Sequence, residues 1–308
     1  MAFTRTDLAM EAFDGQGGSA LPGVSIHRWN TGDIDLTEVV ISDQDSSRAL
    51  EKPCGRYLTL ECAGLRRRDL DVRQAMAGLL AEELGRMLPE IPGDACALVV
   101  GLGNRQITPD ALGPSVIERT LVTRHLPGQL YPYTDLRPVC AVAPGVLGVT
   151  GIETLDVVES LARLTKPAAV ICIDSLAARD VHRVGATLQL TDTGIQPGAG
   201  VGNHRRALTM DSIGAPVIAI GMPTVIRAAA LARDAFDWLN RREGAAEADD
   251  AALADMEQAL MGGEIGEMIV TPREIDALIQ DAAGIIASAV NRALQPELSD
   301  QEIAAMMD

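Results

Sequence analysis

Two short, uninterrupted apolar runs constrain the fold of this 308-residue chain more than any other feature of its sequence. The first run, Cys96 to Val100, is followed by Gly101-Leu102-Gly103-Asn104, and the second, Ala168 to Ile173, is followed by Asp174. A strand whose side chains are all apolar has to be covered on both faces, as the strands of parallel sheets usually are. The two runs therefore predict a buried sheet with helices on both of its faces.

The segments around these runs alternate between helical and strand patterns. Residues 69–88 and 154–164 carry apolar side chains at helical spacing. Residues 24–29, 36–41 and 57–62 are typical of strands separated by turns. Together these patterns predict an α/β domain with a largely parallel sheet and a β-rich beginning. The glycine-rich stretch near the N-terminus predicts that residues 1–20 are mobile.

Composition excludes some classes of function. Hydrophobic residues make up 47% of the chain but aromatic residues only 3%, so the core has to be aliphatic. The formal net charge is -17, and a chain this acidic repels the phosphate backbone of DNA or RNA. We therefore expect no direct nucleic-acid partner.

The cysteines and the N-terminus indicate an intracellular protein. The five cysteines include no CxxC pair, and their number is odd, which favours a reducing compartment. The stretch Met1 to Gly18 lacks the apolar centre of a signal peptide. No apolar run approaches the roughly 18 residues of a membrane span. We expect a cytoplasmic protein with no membrane partner.

Two aspartates stand where parallel sheets place functional groups, just beyond the carboxyl ends of strands. Asp174 directly follows the second apolar run, and Asp110 lies in the loop after the first. That loop, Thr108 to Pro114, is bounded by prolines and glycines that restrict its backbone. If the two strands are neighbours, the carboxylates can converge on one peptide bond.

Paired carboxylates are suited to general acid–base hydrolysis. Two close carboxylates do not both ionise easily, so one keeps a proton near neutral pH. The ionised member can activate a water molecule while the protonated member polarises the carbonyl group, and their titration belongs to the pair. From position alone, a plain structural role for either aspartate, such as capping a helix, stays open.

Other motifs give weaker indications. Asp192-Thr193-Gly194 is the triplet of pepsin-like proteases, but those are all-β proteins that need two triplets, so the motif carries little weight and indicates a turn stabilised by Asp and Gly. The loop that contains Gly200, Gly202 and Asn203 can place backbone amides near a substrate carbonyl, or can be only flexible. The chain has neither an HExxH motif nor a GxSxG elbow, and Gly101-Leu102-Gly103 lacks the third glycine of a dinucleotide site. We predict no metal and no cofactor.

Taken in order, many segments of the chain resemble the germination protease family of endospore-forming bacteria. The matching segments are VVGLGN at 99–104, TPDALGP at 108–114, VTRHL at 122–126, PGV at 144–146, TGIET at 150–154, IDSLAAR at 173–179, DTGI at 192–195, GVGN at 200–203, PVIAIG at 216–221 and VTPREID at 270–276. The resemblance runs over nearly the whole chain, and such an ordered set is far more specific than any single motif.

The resemblance implies an atypical aspartic endopeptidase that degrades small acid-soluble spore proteins during germination, inside the forespore or spore core. It implies that Asp110 and Asp174 are catalytic. We further predict that Asp192 and the loop with Gly200, Gly202 and Asn203 contact the substrate. It implies a homotetramer. The implied fold is a three-layer, phosphorylase/hydrolase-like α/β sandwich with a mainly parallel central sheet and β-rich N-terminal additions, related to that of the hydrogenase maturation proteases.

The N-terminus also resembles the family, whose members are made as zymogens that trim themselves. The stretch Thr6-Asp7-Leu8-Ala9-Met10-Glu11 is similar to the family's cleavage sites, with the cut after Ala9. This predicts a propeptide of residues 1–9 and a single α/β peptidase domain of residues 10–308 that begins at Met10. A frayed terminus with an accidental sequence is the alternative.

The sequence departs from the family pattern at a few positions. Gln196 stands where the family has a histidine, Ala199 where it has a serine, and Ser175 replaces a small apolar residue beside Asp174. These changes leave both aspartates in place, so they bear on zymogen control and substrate contacts more than on the chemistry.

Two other enzyme classes share features with the chain. Peptidyl-tRNA hydrolases also have a Val-Gly-Leu-Gly-Asn strand end, but the charge of -17 opposes a tRNA substrate. Hydrogenase maturation proteases hold nickel with carboxylates and a histidine, and His125 or His204 could supply such a ligand here. A degenerate protease fold that only binds peptides is a third alternative, which the intact aspartates disfavour.

Overall fold

The computed structural model describes residues 6–15, 21–92, 94–126, 136–198, 205–242 and 268–307, and one nine-stranded sheet organises them. Its strands are β1 (Val24–Thr31), β2 (Ile34–Ile41), β3 (Gly55–Glu61), β4 (Ala97–Gly101), β5 (Val139–Val142), β6 (Ala169–Ala178), β7 (Thr187–Thr191), β8 (Val217–Arg227) and β9 (Ile269–Val270). The helices are α1 (Ala9–Gly15), α2 (Gln44–Leu50), α3 (Leu70–Met87), α4 (Leu112–Ile117), α5 (Leu147–Thr150), α6 (Thr154–Thr165), α7 (Met210–Ile213), α8 (Ala228–Arg242), α9 (Ile275–Leu294) and α10 (Asp300–Met307).

The sheet is mixed in direction. The strand order is β1-β2-β3-β7-β8-β6-β4-β5, and β9 pairs with the free part of β8. The pairs β4–β5, β4–β6 and β6–β8 are parallel, whereas the other five pairings are antiparallel. The expectation of a mainly parallel central sheet is therefore not confirmed. A continuous apolar run indicates that both faces of a strand are covered, but it does not distinguish a parallel strand from an antiparallel one.

Helices cover both faces of the sheet, as the apolar runs predict. Alternate side chains of β4 enter different cores, because successive residues of a strand point to opposite faces. Val99 packs in the core formed with α3, α4 and α9, and Val100 packs in the core formed with α6 and α7. The β-rich beginning is also present, since β1, β2 and β3 form an antiparallel extension that joins the sheet through β7.

The helix predicted over residues 69–88 is α3. Asp69 caps its N-terminus, since its carboxylate accepts the backbone N–H of Asp71 at 3.0 Å. Among the described residues, no helix combines the length and the hydropathy that a membrane crossing requires.

The N-terminal segment is where the sequence-based expectation of mobility is wrong for the described residues 6–15. Leu8 and Ala9 are fully buried, and Met10 and Phe13 pack against β2 and β3. Composition predicted flexibility because the stretch is short and glycine-flanked, but tertiary packing of its apolar side chains overrides that local tendency. This segment lies against the candidate site described next.

Candidate active site

The site begins where β4 ends beside β6. The two strands are parallel neighbours with Gly101 opposite Ile173, and the Leu102 N–H donates to the Ile173 carbonyl oxygen at 2.8 Å. After Leu102 the chain leaves the sheet, turns through Gly103 and Asn104, and reaches the 3₁₀ turn Thr108–Asp110. The strands that lead to Asp110 and Asp174 are therefore neighbours, as the pairing of the two aspartates requires.

Glycines let this loop pack closely on the strand end. A Cβ atom at Gly101 would lie 2.3 Å from the Gly113 carbonyl oxygen, and one at Gly113 would lie 2.2 Å from the Leu102 carbonyl oxygen. Gly103 has a φ of +108°, and a Cβ there would lie 2.1 Å from the Asp110 carbonyl oxygen. The glycines of the GLGN and DALG motifs thus fix how close Asp110 comes to the end of β4.

Asp110 is held in a partly buried position. One carboxylate oxygen accepts the Asn104 backbone N–H at 2.8 Å. Burial raises the pKa of Asp110 to about 6, and the hydrogen bond from Asn104 opposes that rise. Asp110 therefore titrates near neutral pH instead of in the usual range of a carboxyl group.

Asp174 lies inside β6 and not beyond its end. The strand continues to Ala178 because β8 continues beside it, with Asp174 opposite Gly221. Its side chain is 5% exposed and accepts the Ser175 N–H at 2.9 Å. Burial, together with the negative charges of Asp110 and Asp7, raises its pKa well above the usual range. Both carboxyl groups thus hold a proton to higher pH than an exposed aspartate does, and their titration belongs to the pair.

Both aspartates line one cavity of about 400 Å³. Its wall is largely apolar and includes Ile107, Val146 and Leu147. A second cavity of about 140 Å³ shares Asp174 and is also lined by Gln189 and Lys52. An apolar cavity with a few convergent polar groups and two carboxyl groups of raised pKa is the usual setting of an active site.

The chain's own N-terminal segment lies between the two cavities, where Asp7 lines both. The Asp7 N–H donates to the Ala177 carbonyl oxygen at 3.0 Å, and the Ala177 N–H donates to the Asp7 carboxylate at 2.8 Å. Gln189 bonds the same segment, accepting the Ala9 N–H at 2.8 Å and donating to the Asp7 carbonyl oxygen at 3.1 Å. The segment therefore occupies the cleft next to Asp174.

Charged groups anchor the two ends of this segment. The Lys52 ammonium donates to the Thr6 carbonyl oxygen at 2.8 Å. The Glu11 carboxylate accepts the N–H groups of Arg179 and Asp180 at 2.8 and 2.9 Å, with Arg183 at 3.5 Å. Burial raises the pKa of Glu11 and these hydrogen bonds oppose the rise, so the docking of α1 depends on buried polar contacts.

The other predicted site residues are placed differently. Asp192 lies in the exposed turn after β7, where its carboxylate accepts the Arg56 N–H at 2.8 Å, and it lines neither cavity described above. Gly200, Gly202 and Asn203 lie outside the described residues. The substrate contacts expected of all four stay predictions.

The bond expected to be cut, between Ala9 and Met10, lies in the first turn of α1, and its residues are 0% and 6% exposed.

Among the departures from the family pattern, Gln196 donates to the Arg205 carbonyl oxygen at 3.1 Å, and the buried Ser175 hydroxyl has no hydrogen-bond partner among the described residues. His125 is exposed and His204 lies outside the described residues. Within the described ranges, no three His, Cys, Asp or Glu side chains are grouped as metal ligands.

Sequence reasoning missed Asp7, Gln189 and Thr224. The Thr224 hydroxyl, on a residue that is 1% exposed, donates to the Pro109 carbonyl oxygen at 2.7 Å and so ties β8 to the Asp110 loop. A buried glutamine in the otherwise strand-like TLQLT of β7 was a detectable signal, because a polar side chain inside a covered strand needs a partner.

The chain is similar to known germination proteases over most of its length. Residues 5–264 match the family model described as germination protease. Germination proteases of Clostridium tetani (strain Massachusetts / E88) and Caldanaerobacter subterraneus subsp. tengcongensis are 39% and 40% identical to the chain, covering 99% and 98% of it and equal shares of their own lengths. The germination protease of Bacillus cytotoxicus is 38% identical over 98% of the chain and 96% of its own length.

A solved structure, the [NiFe] hydrogenase maturation protease HycI from Thermococcus kodakarensis KOD1, aligns with 64% of the chain and 94% of its own length. The TM-score is 0.32 and the sequence identity is 16%, and both values are too low to support a conclusion about this chain from that structure.

The raised pKa of Asp110 predicts a pH-dependent gain in stability for Asp110→Asn. The unfolded chain releases this proton near pH 3.8 and the folded chain near 6, so the native carboxyl costs stability as pH rises through that window. At pH 7.5 the variant should be more stable by roughly 1–3 kcal/mol, and at pH 4 it should match the wild type. Urea unfolding at both pH values measures the difference.

Asp94→Asn, at an exposed aspartate, controls for the loss of one formal charge. An Asp110→Asn variant that gains nothing at pH 7.5 would contradict the burial cost assigned to this carboxyl.

Proposed function

The chain belongs to the germination protease family, and we propose from this membership that it is an endopeptidase that starts the degradation of small acid-soluble spore proteins at germination. The observation that carries the proposal is that the partly buried Asp110 and the buried Asp174 lie on the wall of one cavity, in a chain that matches the family along its length. The same matches favour this function over a peptidyl-tRNA hydrolase or a nickel-dependent maturation protease.

The two aspartates divide the acid and base roles according to their burial. Asp110, with a pKa of about 6, is ionised at neutral pH and acts as the base that takes a proton from the attacking water. Asp174 is more deeply buried and faces a second negative charge, so it stays protonated and donates a hydrogen bond to the carbonyl oxygen of the scissile bond. The apolar wall of the cavity excludes bulk water and accepts the substrate's aliphatic side chains.

The finer features of the family are part of the same proposal. We propose a homotetramer in the spore core whose subunits have the three-layer, hydrolase-like sandwich. The apolar side chains of Phe236, Trp238 and Leu239 on α8 are 39–59% exposed, which supports contact with another copy. Sedimentation equilibrium of the full chain should give the mass of four chains, and the mass of one chain at micromolar concentration would contradict this.

We also propose that residues 1–9 are a propeptide that the enzyme removes, leaving a peptidase domain of residues 10–308. The docked position of Asp7 beside Asp174 supports this. The Ala9–Met10 bond is helical and buried in the structure, whereas a peptide has to be extended to enter a protease cleft. The first turn of α1 therefore has to unwind before the cut.

Loss of either aspartate should abolish proteolysis. Asp110→Asn removes the base and Asp174→Asn removes the acidic proton, and each should lower the cleavage rate of a small acid-soluble spore protein by roughly 100-fold or more. Gel electrophoresis and mass spectrometry of the fragments measure the rate. Asp211→Asn, at an exposed aspartate of α7, should cleave like the wild type. Normal cleavage by either active-site variant would refute the paired-carboxylate mechanism.

Trimming should depend on the stability of α1. N-terminal sequencing of the trimmed wild type should begin at Met10, and Asp110→Asn should stay untrimmed. Ala12→Gly lowers the helix propensity of α1 by about 1 kcal/mol, so it should speed trimming roughly fivefold if unwinding precedes the cut. Ala81→Gly, the same change in α3, should not speed it. A different first residue would overturn the assigned cleavage site.

A further inference from the structure

The contacts that hold residues 7–9 in the cleft are mainly of a kind that any peptide can make. The Ala177 carbonyl oxygen and the Gln189 side chain bond main-chain groups of Asp7 and Ala9, so those bonds do not depend on the identity of these two residues. The segment bonds the C-terminal part of β6 at Ala177 and crosses the sheet to Gln189 on β7. The cleft therefore has the chemistry of a peptide groove that one of the chain's own segments fills.

Among the described residues of the groove, Gln189 is the one side chain that bonds the main chain both before and after Leu8. Its amide oxygen accepts from Ala9 and its amide nitrogen donates to Asp7, so it pairs with the two main-chain groups that flank Leu8. These are the bonds that a neighbouring strand would make. With the segment docked, the side chain is 6% exposed, and loss of the segment removes both of these partners, so the amide gains free energy when a peptide pairs with it again.

The sheet fixes Gln189 in line with the catalytic pair. Asp174 is opposite Gly221 on β8, and Gly221 is opposite Gln189 on β7. Residues opposite one another in a sheet point their side chains to the same face, and two strand spacings separate them by about 10 Å. Asp174 and Gln189 therefore face the same groove at a distance of about three residues of extended peptide.

An apolar pocket lies between the two main-chain contacts. Leu8 is fully buried there, in a cluster with Leu176, Ala178, Val184, Ile226 and Ala230. A peptide that takes the place of the segment would put one aliphatic side chain in this pocket and present its flanking main-chain groups to Gln189.

We propose that the groove now filled by residues 6–9 is the substrate groove and that Gln189 is its positioning residue, holding the main chain on both sides of an aliphatic substrate residue. The inference rests on the proposed protease function. Gln189 acts through the position of the peptide and takes no part in the chemistry, so it determines how tightly and in which register a substrate lies across Asp174. The ligand class is an extended peptide with an aliphatic residue at the Leu8 position.

The test measures peptide binding apart from cleavage. In the full chain, Leu8→Arg places a charge in the apolar pocket and displaces the segment, and Asp110→Asn prevents turnover. A fluorescein-labelled peptide with the sequence of residues 5–14 is titrated into this double variant, and fluorescence anisotropy gives its Kd. Circular dichroism checks the fold, and Leu8→Ser replaces Leu8→Arg if the arginine variant does not fold.

Adding Gln189→Ala should weaken peptide binding by about tenfold or more, because two main-chain hydrogen bonds are lost. A peptide N-methylated at the residue equivalent to Ala9 should bind about fivefold or more weakly to the Gln189 protein. Gln189→Ala should then weaken the binding of this peptide by less than it weakens that of the unmethylated peptide, since both changes remove the bond from the Ala9 N–H and only the bond to the Asp7 carbonyl oxygen is left to lose. Thr59→Val, next to Gln189 on β3, alters a buried hydroxyl that has no partner among the described residues and should leave Kd unchanged.

Other outcomes overturn the inference. Equal binding by the Gln189→Ala protein, losses that simply add between protein and peptide changes, or no peptide binding in either Leu8 background would each show that Gln189 only anchors α1. The proposed function fails separately: if the wild type does not cut a spore protein but the peptide binds through Gln189, the groove stands and the protease assignment falls.

Discussion

The parallel pairing of β4 with β6 is the constraint on which the rest of the site depends. It brings the end of one apolar strand beside the middle of the other, so that the loop carrying Asp110 returns over Asp174. The glycines at 101, 103 and 113 make the return short enough, because side chains at those positions would collide with backbone oxygen atoms. The chemistry of the pair therefore rests on backbone packing as much as on the two carboxyl groups.

Three carboxyl groups converge in the cleft when the N-terminal segment is docked. Asp7 adds its negative charge to that of Asp110 near Asp174, and both charges, after burial itself, raise the pKa of Asp174. Release of the segment removes the charge of Asp7 from this site and lowers the pKa of Asp174. Occupancy of the groove and the protonation of Asp174 are thus linked, and the same residues contact the docked segment and the proposed substrate.

The sequence predicted much of this site for identifiable reasons. Continuous apolar runs report coverage on both faces, so the helices on either side and the neighbouring positions of Asp110 and Asp174 followed from local pattern and from the ordered family motifs. Strand direction could not be predicted from the sequence. The pattern of apolar side chains in β7, which is antiparallel to both of its neighbours, would be the same in a parallel strand. The docking of residues 6–15 did not follow either, since their contacts with Lys52, Arg179 and Gln189 join residues far apart in the chain.

By itself, the sequence determined the family and the apolar strands and singled out Asp110 and Asp174 as candidates, because these depend on residue types at fixed spacings. Only the tertiary structure decided that Asp174 lies inside a strand, that Asp192 sits in a turn away from the described cavities, and that residues 6–9 fill the cleft. These three features depend on which strands become neighbours and on which partners the buried polar groups find. The spacing of residues that are near one another in the sequence determines neither of these two things. The two aspartates could be named from the chain alone, but their unequal burial is a property of the fold.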